Sequence, residues 1–311
     1  EPLSTVLLTS PTGTPPGLVL YASEQAHNSV DKAAIALGLG QLNVRKVSVD
    51  SSFRMRPGAL GRQIKRDLAE GKRPFCVVAT VGTTSTTSID PVPAIADLAA
   101  EHKLWLHIDG AYGGMAAIVP EFRHVLAGAE RADSIVINPH KWLFTPVDFS
   151  AFFTRRPDLL RRAFALGAEY LKTGEDSRAV NLMDYSLQLG RRFRALKLWF
   201  ILRYFGRDRV VEILRSHIAW AGEFARWLEA DRRFELAAPV PLSLVCFRRR
   251  GSDRRNQRLL EAVNASGQAF LSHTVLNGRL VLRMAIGNIG TRHEDLERLW
   301  ELIRTEAERI E

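Results

Sequence analysis

Cysteine is scarce in this sequence. Cys76 and Cys246 are the only two in 311 residues; each lies in an apolar segment (FCVVAT and SLVCFR), and no CxxC spacing is present. That argues against a disulfide-stapled scaffold and a cysteine metal site, so two small buried hydrophobes in a reducing, cytoplasmic setting are expected and no metal is. No apolar run approaches the ~20 residues that cross a bilayer, and no secretory signal opens the chain, so no membrane partner is expected. Internal repeats and low-complexity tracts are also missing. The first residue is Glu1 and not methionine, which predicts a fragment of a longer protein. Long runs of one charge are lacking too. The balance is +9, from 43 basic and 34 acidic residues, but the two signs are interleaved. The best basic patches, Arg191-Arg192-Phe193-Arg194 and Arg248-Arg249-Arg250, belong to no nucleic-acid motif. A solvated basic surface, with no nucleic-acid partner, is the expectation.

What is present alternates. Apolar strand-like runs at Leu18–Ala22, Val44–Val49, Phe75–Val81, Leu104–Ile108 and Ile135–Ile137 are separated by helical segments. Ser29 to Gly38 is Ala-rich and stopped by glycine. From Pro57 to Glu70, Leu60, Ile64 and Leu68 recur every fourth residue. Asp90-Pro91 supplies an N-cap and first-turn proline for a helix through Glu101, and PEFRHVLAGAE forms a helical linker. Strands that are apolar throughout and alternate with helices predict an α/β fold with a largely parallel sheet covered on both faces. Beyond Lys141 the pattern changes. Phe193–Tyr204 and Val210–Leu228 read as long amphipathic helices, and strands at Leu242–Arg248 and Leu280–Ile286 flank a helix near Leu259. A capping box at Thr291-Arg292-His293-Glu294 opens the last helix. These segments predict two domains, 1–198 and a smaller α+β domain at 199–311.

In such a sheet, ligands bind beyond the carboxyl ends of the strands. Three polar features fall there: Thr83-Thr84, Asp109, and Asn138 with Lys141. Gly110, Gly113 and Gly114 keep the Asp109 strand end small, which would let a flat ligand approach. Lysine is seldom buried, yet Lys141 follows a core strand almost at once, between His140 and Trp142. A lysine in a partly desolvated pocket has its pKa lowered, and its neutral amine can attack a carbonyl. Pyridoxal phosphate is the cofactor that couples such a lysine to a carboxylate at its pyridine nitrogen. His27, just past the first strand, is placed to stack on the ring.

The segments SEQAHNSVDKAA, VATVGTTSTTSIDP, LWLHIDGAYGG, PEFRH, NPHKW, EYLK and LGRRFRALKLW occur in this order. Together they resemble the group II pyridoxal-phosphate-dependent decarboxylases, in particular the aromatic L-amino-acid decarboxylase branch, from about residue 18 to the C-terminus. The resemblance implies a fold-type I, aspartate-aminotransferase-like large domain and decarboxylation of an aromatic L-amino acid to its amine. It implies that Lys141 carries the cofactor, Asp109 pairs with the pyridine nitrogen, and His27 and Ala111 flank the ring. Thr84 would contact the cofactor, and Asn138 and His140 would help hold its phosphate. Tyr170 matches the family's proton donor to the substrate α-carbon, which the related aldehyde synthases replace by phenylalanine. Gly190 matches a position where glycine accompanies bulkier indolic substrates. The family's N-terminal helices and phosphate loop, which help build a homodimer with the active site at the interface, have no counterpart here. Alternatives are another pyridoxal-phosphate decarboxylase or lyase, an aromatic aldehyde synthase, and a non-catalytic homologue.

Overall fold

The computed structural model describes residues 15–165 and 180–310. Strands β1 (Leu18–Ser23), β2 (Val44–Val47), β3 (Arg73–Thr80), β4 (Trp105–Asp109), β5 (Ser134–Ile137) and β6 (Ala151–Thr154) form a six-stranded sheet in the order β2-β1-β3-β4-β5-β6. The first five are parallel, and β6 runs antiparallel to β5 at the edge.

Strand alternation sends successive side chains to opposite faces. One face presents Val19, Tyr21, Val77, Ala79, Leu106 and Ile108, all buried, to α2 (Pro57–Ala69) and α3 (Val92–Glu101). Leu60 and Ile64 of α2 and Ile95, Ala96 and Ala99 of α3 complete that core. Each large aliphatic chain so buried contributes about 1.5–3 kcal/mol. The opposite face is only partly covered. Leu20, Ala22, Val44 and Val78 pack with Ala34 of α1 (Ser29–Ala36), whereas the stretch over β4 and β5 opens on a cavity bordered by α5 (Pro157–Phe164).

A second sheet has four antiparallel strands in the order β7-β8-β10-β9: β7 (Phe234–Leu236), β8 (Leu244–Arg249), β9 (Ser272–Leu276) and β10 (Arg279–Ala285). Phe247 and Leu282 of this sheet share a core with Phe224 and Leu228 of α6 (Ala195–Ala230), Leu259 of α7 (Asp253–Ala265) and Ile303 of α8 (His293–Arg309). The chain thus has a mostly parallel α/β sheet and a smaller α+β unit. α6 links them, its Val210 and Leu214 packing on the first core and its Ala221 and Phe224 on the second. The two amphipathic helices of the sequence are the halves of α6, parted at Gly206, whose φ of 72° lies where only glycine sits without strain.

Two caps differ from expectation. Asp90 does not cap α3. Its carboxylate accepts the backbone N–H of Met55 at 2.7 Å and of Thr80 at 2.8 Å, tying the end of β3 to the preceding loop. These two buried donors have the stronger claim on it, since an unpaired buried N–H is costly. The last helix starts one residue later than the Thr291–Glu294 pattern implies: Arg292 is the N-cap, and Asp295 accepts its N–H at 2.9 Å. The PEFRHVLAGAE linker is helical in 3-10 form, at Pro120–Leu126 and Ala129–Arg131.

Candidate active site

The sheet order reverses between β1 and β3, and the crevice at such a switch point is where open α/β sheets bind ligands. A cavity of about 960 Å³ lies there and extends over the carboxyl ends of β3, β4 and β5. His27, Thr84, Asp109, Ala111, Asn138, His140 and Lys141 all line it. The structure therefore brings together every described residue expected to hold the cofactor, whereas Gly190, expected to bear on substrate size, does not line the cavity. Tyr170 lies outside the described residues.

Backbone geometry places these groups. In register, Thr80 of β3 faces Asp109 of β4, and Asp109 faces Val136 of β5. Asp109 ends its strand with Oδ1 accepting the Ala111 N–H at 3.1 Å. Asn138 donates its N–H to Ala111 O at 3.2 Å, which joins the two strand ends beyond the ladder. A four-residue helix, α4 (Pro139–Trp142), follows at once. On it Lys141 is exposed to the cavity while its neighbour Trp142 is fully buried. Trp142 stacks on Tyr112 at 4.8 Å and 4°, and its Nε1–H donates to His217 Nδ1 at 3.1 Å. His217 lies on α6, and burial pulls its pKa down to about 4, which keeps it a neutral acceptor. The position of the cavity-exposed lysine is thus fixed by the buried residue beside it.

The histidines are held by their Nδ1 atoms. His27 Nδ1 accepts the Ser29 N–H at 3.2 Å and pairs with the Ser29 hydroxyl at 2.9 Å. His140 Nδ1 lies 2.6 Å from Phe149 O. In both rings Nε2 has no hydrogen-bond partner among the described residues.

The hydroxyl loop after β3 is held by both units. Thr83 and Thr86 share a hydrogen bond at 3.0 Å, and Ser85 Oγ meets Thr274 Oγ1 of β9 at 3.1 Å. The Ser85 carbonyl accepts from Arg283 Nε at 3.1 Å and from Cys246 Sγ at 3.0 Å, while Arg283 also donates to Thr84 O. Burial pushes the Cys246 thiol up to about 12, so this cysteine acts as a donor and not as a nucleophile.

The glycines serve another purpose than expected. A Cβ on Gly113 would stand 2.7 Å from Val81 O, and one on Gly82 would stand 2.7 Å from Gly113 N. Gly114 packs on Ile137, and Gly110 on the Val136 carbonyl. They admit neighbouring backbone and, at Gly114, the Ile137 side chain, not a ligand; of this set only Gly82 lines the cavity. Sequence reasoning overlooked Arg283 and His107, which line it too. Arg283 had a visible signal, as the single charge inside the apolar run LVLRMA. His107 had one as well, in the polar alternation Trp105, His107, Asp109.

Two buried atoms at the cavity, Asn138 Oδ1 and Thr80 Oγ1, have no hydrogen-bond partner among the described residues. Orphaned buried acceptors and hydroxyls are costly unless a ligand or water meets them. With an amine, a carboxylate and two imidazole Nε2 atoms on the same walls, the donor set fits a flat, phosphorylated aldehyde.

Comparison with known proteins agrees. The model of the pyridoxal-dependent decarboxylase conserved domain matches residues 11–250. Tryptophan decarboxylase 2 of Oryza sativa subsp. japonica is 40% identical over 304 residues, covering 94% of this chain and 61% of that protein. Phenylacetaldehyde synthase of Arabidopsis thaliana is 40% identical over 301 residues, covering 93% of this chain and 61% of the relative. Aromatic-L-amino-acid decarboxylase of Drosophila lebanonensis is 40% identical over 294 residues, 94% of this chain and 72% of that one. Among solved structures, Oryza sativa TDC with PLP and tryptamine superposes with a TM-score of 0.91 at 37% identity, covering 95% of this chain and 64% of that one. The chain spans about three fifths of the length of these plant relatives. It belongs to the pyridoxal-dependent decarboxylase family.

Proposed function

Within that family, we propose that this chain carries the catalytic core of a pyridoxal-phosphate-dependent carboxy-lyase that converts an aromatic L-amino acid to its amine and carbon dioxide. The observation that carries the reading is the opening of Lys141 and Asp109 onto one cavity, from the ends of adjacent parallel strands. The similarity to tryptophan and aromatic-L-amino-acid decarboxylases supports the substrate class.

Lys141 would hold the cofactor through Nζ, and Asp109 would pair with its ring nitrogen. His27 and Ala111 would flank the ring; Thr84, Asn138 and His140 would take its polar substituents and phosphate. Pyridoxal phosphate, when bound, supplies the electron sink for the pair left on the α-carbon as carbon dioxide departs. Asp109 presents fixed negative charge where positive charge is needed, an electrostatic contribution that requires no reorganisation during reaction. Tyr170 is proposed as the donor that returns a proton to the α-carbon. Lys141 is the residue whose amine would compete with the product amine for the cofactor.

The finer proposals stand on separate observations. Residues 1–198 and 199–311 are proposed as the two domains, supported by two main apolar clusters, with Val210, Leu214 and Leu242 of the second span packing in the first. A homodimer with its active site at the interface is proposed, supported by the exposed apolar row Phe193, Trp199, Phe200 and Tyr204 at the start of α6. A cytoplasmic setting is proposed from the two free cysteines. No helix among the described residues is long and apolar enough to cross a membrane.

The test is to incubate the protein with pyridoxal phosphate and L-tryptophan, L-tyrosine, L-phenylalanine or L-dihydroxyphenylalanine, measuring amine and carbon dioxide. Equal amounts of both from at least one substrate are expected. Aldehyde in place of amine, or cofactor uptake without turnover from any of them, would overturn the assignment.

A further inference from the structure

One polar cluster on the cavity wall takes no part in the chemistry above. In register, His107 of β4 stands beside Ser134 of β5. Ser134 is buried, and its hydroxyl oxygen lies 2.9 Å from Trp105 Nε1 and 2.8 Å from His107 Nδ1. An indole N–H can only donate, so Trp105 occupies a lone pair of the Ser134 oxygen. The oxygen keeps a second lone pair, but the buried hydroxyl proton meets no other acceptor among the described residues, so donation to His107 Nδ1 is the arrangement that leaves neither group unpaired. A ring nitrogen that accepts cannot carry the ring proton, which places that proton on Nε2. The ring of Phe152 stacks against the imidazole, with centroids 6.3 Å apart and planes at 24°. Burial pulls the His107 pKa below its ordinary value, and Asp109 is the charged group that pulls the other way. Trp105, Ser134 and Phe152, which also face the ring, carry no charge.

We infer that Trp105, Ser134 and His107 form a relay that holds the imidazole uncharged, in its Nε2–H form, so that the Asp109 carboxylate is left free for the ring nitrogen of the cofactor. His107 is a positioning residue that acts through Asp109; this role rests on the function proposed above. The reason is competition. His107 and Asp109 project from the same face of β4, two residues apart. An imidazolium there would pair with Asp109, and a carboxylate already matched by one cation favours a second less. A neutral imidazole leaves the carboxylate its full charge.

The relay can be tested before any cofactor is added. In nitrogen-15 NMR spectra of histidine-labelled protein at neutral pH, with His107 assigned through His107→Gln, the wild type should show an unprotonated Nδ1 and a protonated Nε2. Ser134→Ala should lose that fixed tautomer and gain imidazolium character. In an absorbance titration the same variant should bind pyridoxal phosphate more weakly, by roughly three- to tenfold, the worth of one ordinary hydrogen bond. Trp105→Phe frees the serine hydroxyl to turn and should shift both readouts the same way by less; it carries the test if Ser134→Ala does not fold. A wild-type His107 found as Nδ1–H or imidazolium would overturn the relay. So would a Ser134→Ala protein with altered tautomer but unchanged cofactor affinity, or with neither changed. A wild type that shows the tautomer yet takes up no pyridoxal phosphate would overturn the proposed function, and the role of the relay with it.

Discussion

The two faces of the six-stranded sheet are built from the same strands and do different work. On one, Leu106, Ile108, Val77 and Ala79 disappear into a closed core against α2 and α3. On the other, the residues between them, Thr80, Trp105, His107 and Asp109, line a cavity. A shift of one residue along β4 moves from a position that stabilises the fold to one that faces the cavity. Stability and chemistry are thus separable here, position by position, in a way they would not be if the site were set in a loop.

Substitutions on the two faces should reveal that separation. Lys141→Ala should have the largest effect: amine formation and the borohydride-trapped cofactor adduct should both vanish, while thermal unfolding of this cavity-exposed position stays near wild type. A variant that retains either activity or adduct would break the assignment. Asp109→Asn should still take up cofactor but slow the chemical step by roughly 10²–10³-fold, the usual cost of removing one preorganised electrostatic partner. An unchanged turnover number would remove Asp109 from the site. Its neighbour on the opposite face should behave in reverse. Ile108→Ala should cost about 2–5 kcal/mol of stability in denaturant titration, through lost burial and the cavity left behind, with turnover per folded molecule preserved. The smallest effect belongs to neither face. His293 at the start of α8 meets Glu223 of α6 at 2.9 Å, and that carboxylate raises its pKa. With the folded pKa above the unfolded one, the stabilisation is complete below the unfolded value near 6.5 and fades as pH rises through the folded one. Glu223→Gln should flatten that dependence by roughly 0.2–1 kcal/mol, as the pair is partly exposed; melting curves across pH 5 to 9 would measure it.

Much of the fold was legible because its signals are local. Apolar runs bounded by glycine, proline and aspartate located β1, β3, β4 and β5, and the strand ends then located Asp109, Asn138 and Lys141. What escaped depended on partners distant in the chain. β6 is a four-residue edge strand with Phe152 and Phe153 half exposed, and its pattern has little meaning until β5 is beside it. β7 and β9 are likewise short and half buried. Asp90 looked like a cap because its sequence neighbours suited one; its true partner Met55 lies 35 residues away. Gly113 owes its identity to Val81, which no spacing rule would pair with it. Within the site, His27, Thr84, Asp109, Ala111, Asn138, His140 and Lys141 on the cavity wall could be read from the chain, whereas Ser134 and His217, which hold their neighbours, could not.

The grip on the Ser85 carbonyl has a further consequence. Because β8 and β10 both donate to that one oxygen, and β9 meets the serine hydroxyl, the peptide after Thr84 is fastened more firmly to the smaller sheet than its place in the chain suggests. Any rocking of one unit on the other would carry the threonine loop with it, like a latch mounted on the door and not on the frame. Grafting this loop onto another scaffold would therefore mean bringing along the strands that hold it.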